Sequence, residues 1–124
     1  MYHRVTIHLV LDPGGDVIAL EFSRAVAMGE DNSVLFDVTL NSKDGAIDKV
    51  EAFLQGSNDA SKWTTISTLV FGDGTTGSVS VPDYGKVEVS AAIPWALVRL
   101  KYKSSTSASK RIQLRGAIET FKRG

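Results

Sequence analysis

The chain of 124 residues contains no cysteine, which excludes a disulfide-bonded scaffold, a thiolate metal site and a cysteine nucleophile. It also lacks any apolar run near the roughly 18 residues that a membrane-spanning helix needs. No uninterrupted apolar segment follows a basic N-terminus, so no secretion signal is visible. These absences predict assembly in the cytoplasm and no membrane partner.

The chain also lacks an excess of either charge, because 14 Lys+Arg residues balance 14 Asp+Glu residues. This balance argues against a surface devoted to nucleic acid or an anionic membrane. Hydrophobic residues at 43% and charged residues at 23% are typical of a folded globular protein rather than a disordered one. The length is close to the commonest domain size, so we predict one domain over residues 1–124.

Apolar and polar residues alternate through several segments, most clearly from Val34 to Leu40. This period of two indicates strands with one buried face. Turn-forming residues recur about every ten positions, and only residues 19–28 could compete as a short helix. We therefore predict an all-β fold, an antiparallel β-sandwich of jelly-roll or discoidin-like type. The side chains predicted to face its core include Phe36, Val38, Leu54, Trp63, Val98 and Leu100.

Motifs for catalysis or metal binding are absent from the sequence. His3 and His8 are an odd number of positions apart, so a strand would place them on opposite faces. No Gly-x-Ser-x-Gly motif occurs, and no glycine-rich turn leads from a strand into a helix. Oxygen ligands for calcium could come from turn residues, but turn formation is the simpler role of Asn58, Asp59, Asp73 and Asp83. We predict no enzyme activity, no catalytic residues, no metal and no cofactor.

The neutral total conceals a split between the two halves of the chain. Residues 1–62 hold ten acids and five bases, whereas residues 63–124 hold four acids and nine bases. If the last two predicted strands form a hairpin, its outward face carries Arg99, Lys101, Lys103, Arg111 and Arg115. Like charges opposite each other across strands are destabilising, so this face needs a counter-charge.

Three sources of that counter-charge remain open. Acids on neighbouring strands could supply it within one molecule, and the candidates are Asp37, Glu51 and Glu88. A second subunit could supply it instead, in which case the five bases are contact residues between subunits or with another partner. Nucleic acid is the least favoured source, because aromatic residues do not interleave with the bases along the chain.

The segment from Val50 to Gln55, followed by Gly56-Ser57-Asn58-Asp59 and Trp63-Thr64, resembles the strand, G-S-N-D, W-T segment of discoidin-type (coagulation-factor C) β-sandwiches. The segment Pro94–Leu100 resembles a later R-Y-V-R-L strand of the same family. The resemblance implies the sandwich fold. In that family sugars or lipid head groups bind through long N-terminal loops. This chain uses its first forty residues for strands and short turns and lacks the cysteines common at the family's ends.

The same layout resembles small β-sandwich structural proteins of tailed bacteriophages and related virus-like elements. That resemblance implies a non-catalytic, self-associating structural protein, such as a decoration, shell or tail component of a phage-like particle. Such a protein would form homo-oligomers and end up in a virion. The alternative is a carbohydrate-binding β-sandwich module, for which the candidate stacking residues are Trp63, Tyr84, Trp95 and Tyr102.

Overall fold

The computed structural model describes residues 1–13, 18–105 and 110–123. Within these ranges the chain forms strands and no helix, which confirms the all-β prediction. Parts of the predicted turn at residues 12–15 and of the serine-rich loop at residues 104–109 lie outside the described residues. The strands are β1 (Tyr2–Leu11), β2 (Ile18–Phe22), β3 (Val26–Ala27), β4 (Ser33–Lys43), β5 (Lys49–Ser57), β6 (Thr64–Phe71), β7 (Asp83–Glu88), β8 (Leu97–Ser105) and β9 (Ile112–Phe121).

The strands form two antiparallel sheets that enclose one apolar core. Sheet A has the order β1-β9-β4-β7, and sheet B has the order β2-β8-β5-β6. The short strand β3 also pairs with β8. Buried apolar residues of both sheets form a single cluster, as expected for a β-sandwich. None of the described segments is a helix that could span a membrane.

Most of the predicted core residues face the core. Phe36, Val38, Leu54, Val98 and Leu100 are fully buried, as their alternation predicted.

The prediction for Trp63 was wrong. This residue precedes β6 and is only partly buried. Its ring stacks on the guanidinium group of Arg99 at 4.0 Å, and its indole N–H donates to the carbonyl of Ala60. Trp63 therefore packs on the outer face of sheet B, where a cation covers its ring.

The last two strands do not form the hairpin on which the shared basic face depended, because β8 belongs to sheet B and β9 to sheet A. The neighbours of β9 are β1 and β4. Each of the last two strands has one apolar side, and two such strands can bury it by stacking face to face as well as by lying side by side. The alternation of apolar and polar residues shows which side of a strand is buried, but it does not show which strand is its neighbour.

The five bases are consequently separated. Arg99, Lys101 and Lys103 alternate with buried residues along β8, on the outer face of sheet B. Arg115 is exposed on the outer face of sheet A. Arg111 precedes β9 and forms ion pairs with two acids, Asp12 at 3.4 Å and Asp44 at 3.8 Å. The five bases do not share one face.

Tyr102 was a candidate stacking residue, and the structure contradicts that role. Its side chain is fully buried between the sheets, and its hydroxyl lies 2.7 Å from Oγ1 of Thr6. Burial raises the pKa of this phenol. Gly116 of sheet A makes room for the hydroxyl, since any Cβ at that position would overlap it. Tyr102 is therefore a core residue that cannot reach a ligand.

Candidate functional site

The outer face of sheet A carries a groove of about 310 Å³, which we call the sheet A groove. It runs over the central strands β9 and β4, between the edge strands β1 and β7. Its sides are formed by Tyr2, Arg4, Thr6 and Ile7 of β1 and by Tyr84 of β7. Its floor is formed by Asp37, Thr39, Arg115, Gly116 and Ala117.

Small residues explain why the floor is low. Ala117 and Gly116 occupy the middle of β9 and project little or nothing above the sheet. The pairing of β1 with β9 shifts register on both sides of Thr6. Such bulges redirect side chains, and here the hydroxyl of Thr6 bonds to the buried Tyr102. The centre of this face therefore lacks the large side chains that would fill the groove.

Two exposed tyrosines flank the groove. Tyr2 is 55% exposed and Tyr84 is 58% exposed. Because β9 and β4 lie between their strands, the backbones of the two residues are about 14 Å apart across the sheet. Tyr2 is level with Glu119 and Tyr84 is level with Thr39, so they are also offset along the strands. The rings stand at diagonally opposite corners of the groove.

A carboxylate with basic neighbours lies between the tyrosines. Asp37 is paired with Lys86 on one side and with Ala117 on the other. Burial raises the pKa of Asp37 and is the largest influence on it, while the positive charges of Lys86 and Arg115 oppose that rise. Arg4 approaches from β1, opposite Ala117. The groove thus offers a carboxylate acceptor together with two guanidinium donors.

The outer face of sheet B carries a second group of charged residues. The guanidinium group of Arg99 lies 4.2 Å from the ring of Phe22 and 4.0 Å from that of Trp63, and its Nε donates to Oε1 of Gln55 at 3.0 Å. Lys101 lies 5.5 Å from the ring centre of Phe53. Aromatic residues therefore do interleave with the bases in space, contrary to the reason given for disfavouring nucleic acid. These rings are already in contact with the protein's own cations.

The acids expected to balance the bases occupy separate positions. Glu51 lies opposite Lys103 and within 4.0 Å of Lys49 on the outer face of sheet B. Asp37 lies near Arg115, on the other sheet. Glu88 pairs with Arg123, at 2.6 Å. Each of these acids has a base beside it in the same molecule.

The structure separates the four predicted stacking residues. Tyr84 alone lies in the sheet A groove. Trp95 is half-buried and packs directly on the backbone of Gly56 at the end of the core. Tyr2 and Arg4 were not among the predicted site residues, although both lie in the same outward phase of β1. Asp37 was predicted as an outward acid but not as part of a groove.

The acids and amides of the turns bind backbone groups. Asp59 accepts from the N–H groups of Ser61 and Lys62, and Asn58 accepts from that of Ala96. Asp73 accepts from the N–H and the hydroxyl of Thr75. In the part of the chain that the structure describes, no three His, Asp or Glu residues are grouped so that they could hold a metal ion.

Comparison with known proteins shows a shared fold. No family model and no curated protein matches this chain. The crystal structure of PirA is similar with a TM-score of 0.56 and 7% identity, over 95% of this chain and 94% of that one. A chain of the infectious bursal disease virus Gt strain has a TM-score of 0.53 and 13% identity, over 98% of this chain and 32% of the viral chain. A chain of the Gx strain of that virus has a TM-score of 0.54 and 9% identity, over 99% of this chain and 37% of the viral chain. This chain therefore spans about a third of the viral chains, and it shares the β-sandwich fold with all three.

Proposed function

We propose that the protein is a non-catalytic binding module whose sheet A groove takes a carbohydrate chain. The observation that supports this proposal is the combination of two exposed tyrosines with Asp37, Arg4 and Arg115, which line the same groove between them.

Sugars combine two kinds of surface, and the groove has a partner for each. The C–H faces of a sugar ring are apolar and stack on aromatic rings, whose faces are apolar and weakly negative. The hydroxyl groups both donate and accept hydrogen bonds. Asp37 can accept from them, and the guanidinium groups of Arg4 and Arg115 can donate to them.

The geometry favours a chain of sugars over a single one. Tyr2 and Tyr84 stand at opposite corners of the groove, with about 14 Å between their strands. One sugar ring cannot stack on both tyrosines at that separation. The groove also lies on the open face of a sheet, so a ligand can extend past it. We therefore expect an oligosaccharide whose separate units stack on the two tyrosines.

A titration of isotope-labelled protein with soluble oligosaccharides tests this function. The panel includes neutral, acidic and amino sugars, and backbone resonances are followed by NMR. We expect at least one ligand to shift the resonances of Asp37, Tyr84 and Arg115. Tyr84→Ala should weaken that binding about tenfold, because a stacked ring contributes roughly 1.5 kcal/mol.

Val70→Ala is the matched control, because Val70 is similarly exposed on sheet B. It should bind as tightly as the unmodified protein. The proposal fails if no sugar of the panel moves the groove resonances, or if Tyr84→Ala binds with unchanged affinity.

A structural subunit of a phage-like particle is the second candidate function. It is favoured by the apolar residues Ile18, Leu20 and Phe22, which are about half exposed on an edge strand. Exposed apolar groups of this kind typically mark protein contacts. Negative-stain electron microscopy of concentrated protein should then show shells, rings or fibres. A population limited to monomers and dimers would contradict this second function.

A further inference from the structure

We propose that the protein forms a symmetric dimer in which β2 pairs antiparallel with β2 of a second copy. The strand β2 lies at the edge of sheet B and pairs with β8 in an uninterrupted register over five residues. Among the described residues, none outside β8 donates a backbone hydrogen bond to β2 or accepts one from it. Among the described residues nothing pairs with the other side of this strand, so a new strand can pair there.

The direction of the backbone groups identifies which residues a new strand would bond. The N–H of Ser23 donates to the carbonyl of Leu100 in β8, at 2.8 Å. Backbone groups of successive residues in a strand point to opposite sides. Ala19 and Glu21, which are in phase with Ser23, therefore point theirs toward β8. The remaining residues, Ile18, Leu20 and Phe22, point theirs toward the free edge.

These three residues are complementary to themselves. A two-fold axis through Leu20 places it opposite Leu20 of the second copy, and it places Ile18 opposite Phe22. Each such pair exchanges two backbone hydrogen bonds. The side chains of the three residues share the outer face and are 46%, 49% and 50% exposed. The same axis therefore also joins apolar side chains into cross-strand pairs, which stabilise a sheet.

Charge opposes this pairing only weakly, because the axis sets the two Glu21 residues at diagonal positions about 7–8 Å apart. Glu21 is the sole charged residue of β2, and the axis places it opposite Ala19 of the second copy. Lys101 and Lys103 of β8 flank β2. In the dimer two β2 strands would separate the two β8 strands, by about 14 Å. That distance exceeds the Debye length of roughly 8 Å at physiological ionic strength, so the lysines of the two copies are screened from each other.

The other edge strands carry features that hinder pairing. Natural sheet edges are protected by lysine, proline or bulges. The register of β1 shifts twice, and that of β6 shifts once. The edge strand β7 contains Lys86 and directly follows Pro82. β2 has no lysine, no proline and no register shift, and all three of its outward side chains are apolar.

The dimer has a consequence for the sheet A groove. The two-fold axis stands perpendicular to sheet B, so sheet A of both copies lies on the same side. Both grooves then face one way. If each groove binds carbohydrate, as proposed above, the dimer binds a polymer at two points, and its avidity exceeds the affinity of one groove. The dimer itself does not depend on the ligand.

Analytical ultracentrifugation over a concentration series tests the dimer. We expect a monomer–dimer equilibrium for the unmodified protein and monomers alone for Leu20→Lys, because that change places two ammonium groups on the axis. The monomer should still fold, since the Leu20 side chain is half exposed. The backbone N–H and C=O groups of Leu20 point toward the free edge, so the change removes no hydrogen bond with β8. Val70→Lys is the matched control: Val70 is 47% exposed on the opposite edge strand β6, and its replacement should leave the dimer intact.

Amide hydrogen exchange identifies the strand. With rising protein concentration, the amides of Ile18, Leu20 and Phe22 should become protected, whereas those of Ala19 and Glu21 should be protected at every concentration. The proposal is overturned if the unmodified protein stays monomeric, or if Val70→Lys dissociates a dimer that Leu20→Lys leaves intact. It is also overturned if high salt concentration and Lys101→Glu each dissociate a dimer that Leu20→Lys leaves intact. Sugar binding by Leu20→Lys is measured separately with short oligosaccharides, so either proposal can fail without the other.

Discussion

Gly116 and Tyr102 belong to different sheets, and their contact can be tested with a double-mutant cycle. A Cβ added at Gly116 would overlap the Tyr102 hydroxyl, while the next nearest atoms, Cδ1 of Leu100 and Cζ of Tyr102, would be 3.2 Å away. Overpacking of this kind typically costs about 1–3 kcal/mol. Gly116→Ala should therefore lower the free energy of unfolding by that amount, measured by urea denaturation.

Tyr102→Phe removes the oxygen atom that causes the overlap. Alone it should cost about 0.5–1.5 kcal/mol, because it removes the hydrogen bond with Thr6. In that background Gly116→Ala meets only contacts that small shifts can relieve. The double variant should therefore be more stable than the sum of the single changes predicts, by about 1 kcal/mol.

Gly85→Ala provides the control for this cycle. A Cβ at Gly85 would meet the side chain of Leu69 and not Tyr102. The losses in free energy of unfolding caused by Gly85→Ala and by Tyr102→Phe should therefore be additive, to within about 0.5 kcal/mol. The same additivity between Gly116→Ala and Tyr102→Phe would refute the face-to-face stacking of β8 and β9.

Two further predictions concern the outer face of sheet B and the turn before β7. Arg99→Ala should lower the free energy of unfolding by about 1–3 kcal/mol, because two rings lose a stacked cation and the buried Gln55 loses its donor. Lys103→Ala should change the free energy of unfolding by less than about 0.5 kcal/mol. Equal losses of stability in Arg99→Ala and Lys103→Ala would contradict the stacking of Arg99 on the two rings. Hydrogen bonds from the side chain and backbone of Thr75 and from Ser78 lower the pKa of Asp73 from 3.8 to about 2. The stabilisation by Asp73 is therefore complete above about pH 4 and is lost as pH falls through 2, and an NMR titration midpoint near 4 would disprove these bonds.

The sequence predicted the buried faces of β4, β5 and β8 well, and for a local reason. In β4 and β5 the residues Phe36, Val38 and Leu54 keep one phase, and a single period of two is enough to identify it. The same rule placed Tyr102 in phase with Val98 and Leu100, inside the sandwich. The suggestion that Tyr102 stacks on a ligand followed from its residue type and ignored its phase. Trp63 precedes its strand, so no alternation existed from which its side could be read.

The neighbours of each strand could not be predicted in the same way. A strand with one apolar side satisfies the alternation rule whether it pairs with the next strand or stacks over it. This is why β8 and β9 were expected to form a hairpin. The sheet A groove depends on the order β1-β9-β4-β7, which joins residues as distant as Tyr2 and Arg115. No local pattern contains that information. The contact of Arg99 with Phe22 and Trp63 depends in the same way on the order of sheet B, β2-β8-β5-β6.

Gly116 links the core to the sheet A groove, whereas Leu20 of β2 belongs to neither. On its inner side Gly116 leaves room for Tyr102, and on its outer side it forms part of the groove floor. A larger residue there would change core packing and groove shape together, so it cannot serve as a test of binding. Tyr84 and Leu20 project from outer faces of different sheets, on strands that do not contact each other. Substitutions at separated sites without shared partners act additively. Combining Tyr84→Ala with Leu20→Lys should therefore abolish stacking and dimerisation independently, and a combined variant in which one change restores the other function would show that the two sheets are coupled.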